Sequence, residues 1–189
     1  MRSRPNTRKN IMNKTRDIAY IAICTSLICI SAWITIPGTV PFTLQTFAIF
    51  LTLGLLGAKR GMLSILIYIL IGMIGLPVFS SFNSGLGVIA GPTGGYIIGF
   101  IFSSFVYFLI EKLIKNENVK MITGFILGLI VCYAIGSIWF YYVYGNNVGY
   151  MSFISILMVC VVPFIIPDIL KLLLAFIVVK NVKKRVFIN

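Results

Sequence analysis

Residues 18–58 contain no charged side chain, and neither do residues 61–110. A third apolar block runs from Met121 to Val179, interrupted only by Asp168 and Lys171. Each block is about twice the ~20 residues that cross a bilayer as a helix, so each should hold two passages. Turn residues divide the blocks: Pro37, Gly38 and Pro41 in the first, Ser80 to Gly95 in the second, and Tyr144 to Tyr150 in the third. The predicted spans are Ile18 to Ile36, Leu44 to Ala58, Met62 to Val78, Tyr96 to Ile110, Met121 to Tyr142 and Met151 to Val179. The fold class is therefore an all-α integral membrane protein with six transmembrane helices.

The charges set its orientation. The chain carries 16 Lys and Arg against 4 Asp and Glu, a net charge of +12. A nucleic-acid binder would spread such cations over a polar surface. Here 15 of the 16 fall in four segments between or beyond the apolar blocks, all on one side, and the three opposite loops hold none. The positive-inside rule puts that side, with both termini, in the cytoplasm. Residues 1–17 then form a basic cytoplasmic N-terminal tail, 18–179 the membrane domain and 180–189 a basic cytoplasmic C-terminal tail. The N-terminus has no short apolar region with a cleavage site, so it is expected to be this tail rather than a signal peptide. Trp33 and the Trp139 to Tyr144 run suit an aromatic belt at the outer interface.

Catalytic vocabulary is sparse. There is no His, and Cys24, Cys29, Cys132 and Cys160 lie in apolar stretches without a CxxC pair. A Ser-His dyad, an aspartyl dyad and a metal-ligand set are all excluded, so no cofactor or metal is expected and the chain does not read as an enzyme.

Asp168 and Lys171 break the charge pattern. Counted back from Lys180, Lys171 lies roughly 13 Å and Asp168 roughly 18 Å inside the apolar layer. Their i, i+3 spacing puts them on one helix face. Intramembrane charges are costly and need partners, which makes them candidates for a substrate site or a proton relay. A salt bridge that only ties the bundle together would use the same pair, but buried pairs are weak sources of stability. Pro167 suits the first turn of a helix that restarts beside Asp168, and broken helices at membrane depth occur where they line a cavity.

The second concentration is the outer loop from Ser80 to Phe100, rich in Gly and free of charge. Thr93 is placed to cap the fourth span, whose exposed N–H groups would receive a carboxylate. Asn83 is an amide able to donate and accept. No GxxxxGK[ST] is present, so the chain has no ATPase motif of its own. In the first outer loop, Thr43 is a cap candidate and Gln45 a polar group at the mouth of the second span. Gly95xxxGly99, Gly124xxxGly128 and Ala22xxxSer26 give small faces for helix packing, or for another membrane subunit where exposed.

The segments PFTLQTFAIFLTLGLLGAKRG (41–61), GLPVFSSFNSGLGVIAGPTGGYIIGF (75–100) and PDILKLLLA (167–175) together resemble the BioY family, the biotin-specific substrate-binding S components of energy-coupling factor (ECF) transporters. The resemblance runs from about Ile18 to Val179. It implies an ECF S-component fold in a prokaryotic plasma membrane, high-affinity capture of biotin from outside, and association with a membrane-embedded coupling protein (T component) and two cytoplasmic ATPases. The family's binding positions map onto Asn83, Thr93, Gly94 and Tyr96, and onto Asp168 and Lys171, with Gln45 and Thr43 as further candidates. Its docking motif AxxxA maps onto Ala22 and Ser26, where the second alanine is replaced. In the expected pose Asp168 accepts from the ureido N–H, Asn83 serves the ureido oxygen, and the ligand carboxylate lies near Thr93. The reversed pose, with the carboxylate on Lys171, stays open, as does a self-contained carrier or facilitator that uses Asp168.

Overall fold

A computed structural model describes residues 7–148 and 152–186. Helix α1 (Thr7–Trp33) is followed by a two-residue hairpin of β1 (Thr35–Ile36) and β2 (Phe42–Thr43), paired Thr35 to Thr43 and Ile36 to Phe42. Then come α2 (Gln45–Met73), a 3-10 turn (Ser80–Phe82), α3 (Leu86–Ala90), α4 (Gly94–Leu113), α5 (Glu117–Val148), α6 (Phe153–Cys160) and α7 (Val162–Val186). Among the described residues, five stretches are long and apolar enough to cross a membrane.

The second of them is two passages. Gly57 has φ 75° and ψ 174°, a conformation glycine tolerates and other residues avoid. The helix folds back on itself there. Gln45 Nε2 donates to Tyr68 Oη at 2.6 Å, although a straight helix would hold residues 23 apart about 35 Å from one another. At Gly61 a β-carbon would lie 3.1 Å from Leu53 Cα, so the two limbs, 45–56 and 58–73, touch along their main chains. Glu111 of α4 closes the turn by accepting from Ala58 N at 3.0 Å. With α6 and α7 forming one interrupted passage, the chain traverses the bundle six times.

Several boundaries differ from expectation. Helix α1 starts at Thr7 and α7 ends at Val186, because charged residues outside the apolar layer continue a helix as readily as they leave one. The turn expected from Tyr144 is helical as far as Val148, with 149–151 outside the described residues; Gly and Asn serve at a helix end as well as in a turn. Ile36 belongs to the hairpin rather than to the first span. The third passage stops at Met73, and the restart expected at Pro167 comes at Val162 instead, with Pro163 in the first turn and Pro167 inside α7.

The core is held at the small faces. Gly95 and Gly99 of α4 meet Trp139 and Cys132 of α5, while Gly124 and Gly128 receive Tyr107 and Phe50. Ser103 Oγ donates to the Gly128 carbonyl across this seam at 2.6 Å. The basic end is stitched by its acids: Asp17 pairs with Arg60 at 2.9 Å, and Glu117 accepts from Lys120 and, at 3.3 Å, from Lys183. At the other end Trp33 Nε1 donates to the Pro77 carbonyl at 2.8 Å and its ring stacks on Phe82, so this belt residue also anchors a loop.

A buried polar site beneath the loops

Asp168 and Lys171 sit one turn apart on α7, 3% and 7% exposed. Lys171 Nζ lies 2.7 Å from Asp168 Oδ1. Thr46 Oγ1, in the first turn of α2, donates to the same carboxylate oxygen at 3.0 Å, and Tyr133 Oη of α5 donates to Oδ2 at 2.5 Å. The ammonium also donates to the Thr43 carbonyl at 2.7 Å and to Thr46 Oγ1 at 3.4 Å, and it stands 3.9 Å over the Phe42 ring. An ammonium has three protons and a carboxylate about four acceptor positions. Each Lys171 proton therefore has an acceptor, while Asp168 keeps one position unfilled. Taking two charges out of water is costly unless such bonds satisfy them, and here they do.

These groups line a cavity of about 70 Å³. Its polar wall is Thr43, Gln45, Thr46, Thr93, Asp168 and Lys171, and its apolar wall includes Tyr96, Phe100, Tyr133 and Phe164. Val40, Pro41 and Ser80, from the loops at the end opposite the basic one, complete it. Gln45 Oε1 accepts from Thr43 Oγ1 at 3.0 Å, and its Nε2 has the bond to Tyr68, which leaves one amide proton uncommitted among the described residues.

The interruption between α6 and α7 serves the same wall. Phe164 N turns back to the Val161 carbonyl, which frees the Cys160 carbonyl, and Tyr96 Oη donates to it at 3.3 Å. Pro163 and Pro167 supply no main-chain donors here, as expected of a broken helix facing a cavity.

Asp168, Lys171, Gln45, Thr43, Thr93 and Tyr96 thus converge on one cavity. Asn83 does not: it is exposed, and its Nδ2 donates to the Ser80 carbonyl at 2.9 Å. Gly94 is absent from the lining; a side chain there would collide with the Ile89 carbonyl, so it allows α3 to close on α4. Thr93 precedes α4 but makes no capping bond, leaving its hydroxyl to the cavity. Thr43 serves the start of α2, accepting from Gln45 N at 3.3 Å. Ala22 and Ser26 are exposed on α1, and Ser26 Oγ donates to the Ala22 carbonyl at 3.0 Å, which leaves that face apolar in effect.

Thr46, Tyr133, Phe42 and Phe164 were missed by sequence reasoning. Thr46 ends the PFTLQT segment, and Tyr133 is a hydroxyl-bearing ring deep in an uncharged span; both were visible signals.

A sequence model of the BioY family matches residues 4–187. The chain belongs to the BioY family. It is 39% identical over 170 residues to a biotin transporter BioY of Thermotoga maritima, covering 89% of this chain and 96% of that one. It is also 37% identical over 171 residues to a probable biotin transporter BioY of Pyrococcus horikoshii, covering 90% and 98%. Among solved structures, this BioY chain superposes on an S-component for biotin from an ECF-type ABC transporter with a TM-score of 0.78 and 29% identity, over 96% of this chain and 95% of that one. A second S component, 17% identical with a TM-score of 0.53, shares the fold. The BioY chain is a multi-pass membrane protein with the S-component fold.

Proposed function

We propose that this chain is the biotin-binding S component of an ECF-type uptake transporter, a transport subunit rather than an enzyme. It captures biotin at the end opposite the basic one for import driven by a coupling protein and two ATPases. The basic end and both termini face the cytoplasm of a prokaryotic cell, the orientation that the clustered cations favour. Ala22 and Ser26 lie on the face offered to the coupling protein.

The observation that carries the reading is the Asp168 carboxylate, held by three donors in a buried cavity with one acceptor position left over. That position suits a ureido N–H. Lys171, its protons already committed, orients Asp168 rather than receiving the ligand carboxylate. The uncommitted Gln45 proton suits the ureido oxygen, and the carboxylate lies toward Thr93. Asn83 is left out of this pose. Because the cavity is about 70 Å³, against roughly 300 Å³ or more for small-molecule sites, the loops over it must shift to admit the bicyclic ring.

Isothermal titration against biotin and biotinamide tests the pose. Asp168→Asn should weaken both about 10- to 100-fold, the worth of a hydrogen bond to a charged group. Equal binding by parent and Asp168→Asn would sink the ureido assignment. A loss confined to biotin in Lys171→Ala would instead put the carboxylate on Lys171. Purified protein in liposomes should bind biotin without accumulating it until the ATPase module is added; unaided accumulation would favour a self-contained carrier.

A further inference from the structure

Helices α5 and α7 part to leave a second space, a cleft of about 550 Å³ whose walls expose no polar surface. Ile122 and Phe176 mark one end, Tyr133 and Val161 the other. Between Ile122 and Tyr133 the cleft runs about 16 Å, near half the ~30 Å hydrocarbon layer, which is the depth of one leaflet's acyl chains. Its walls are solvent-accessible: Ile130 is 55% and Leu173 54% exposed.

At the basic end of the bundle the cleft's own wall supplies the cations. The α7 stripe that lines it, Ile165, Ile169, Leu172 and Phe176, continues at helical spacing as Lys180 and Lys183. Lys180 is exposed and makes no ion pair among the described residues. Lys183 bonds to Glu117, the acid at this mouth, which also takes Lys120; Lys184 is exposed one residue further on. The mouth therefore keeps a net positive charge at headgroup height.

We propose that the cleft is a site for one anionic phospholipid, its acyl chain along Ile130, Ile169 and Leu173 and its phosphate on Lys180 and Lys183. Basic pockets between spans at the cytoplasmic side recognise anionic headgroups by the same physics. Apolar walls select the chain, and the lysines select the charge.

Native mass spectrometry of detergent-purified protein, titrated with phosphatidylglycerol or phosphatidylcholine of matched chains, tests this. The parent should retain one phosphatidylglycerol in preference to phosphatidylcholine. Lys180→Gln with Lys183→Gln should cut that preference roughly 30-fold, as expected for two basic residues beside an anionic headgroup. Leu173→Trp, or Ile130→Phe from the α5 side, puts a larger ring into the cleft and should weaken retention of both lipids, with circular dichroism confirming helical content. Equal retention of the two lipids by the parent, or undiminished retention by both cleft-filled variants, overturns the proposal. So does displacement of the lipid by inorganic phosphate alone, or a two-chain mass that the cleft-filled variants abolish, which would make a second copy the occupant.

Discussion

Two ion pairs of similar length have opposite surroundings. Asp17 and Arg60 meet at 2.9 Å with side chains 34% and 51% exposed, whereas Asp168 and Lys171 meet at 2.7 Å with side chains 5% and 8% exposed. The first joins α1 to α2 and gains little, since water and salt compete for both partners. The second is costly in isolation and stands only because Thr43, Thr46 and Tyr133 complete its bonding. Polarity that adds so little to stability, yet is this well supported, points to a ligand.

The contrast is open to attack by mutation. Lys171→Ala strands a buried carboxylate and should lower stability by about 3–5 kcal/mol in detergent melts; a loss under about 1 kcal/mol would mean that water reaches Asp168 freely. Tyr133→Phe removes one of three donors to that carboxylate and should cost about 1.5–3 kcal/mol by the same measurement. Asp17→Asn should cost only about 0.2–1 kcal/mol, and the difference should fade in 1 M salt, which would leave the Lys171→Ala effect intact. Replacing both members of the buried pair, Asp168→Leu with Lys171→Met, should change stability least, from no loss to a small gain, while biotin titration heats vanish. A large loss in that double variant would make the pair a structural tie.

Much of the architecture was legible because lipid imposes simple rules. Charge-free blocks show passages, and charged segments show which end they share. What stayed hidden was set by contacts across the chain. That the reversal falls at Gly57 depends on its positive φ and on Glu111, 53 residues away from Ala58. The interruption of the last passage lies at Val161, where Tyr96 takes up a released carbonyl, two residues before Pro163 and well before the Pro167 expected to mark it. Of the site, Asp168 and Lys171 stood out as isolated charges. Thr46 and Tyr133, although visible as hydroxyls in apolar surroundings, did not, since such a group points to a site only once its neighbour is known. Asn83 erred the other way: an amide in a suggestive loop, it faces outward and bonds within that loop.

The Glu111 to Ala58 contact also bears on how the molecule is made. A reversal closed by a carboxylate at the far end of the second passage downstream is incomplete when its own residues leave the ribosome. Until the fourth passage arrives, the Ala58 N–H must be served by water or a lipid headgroup at the interface. This latch on the α2 hairpin can therefore close only once α4 has been made.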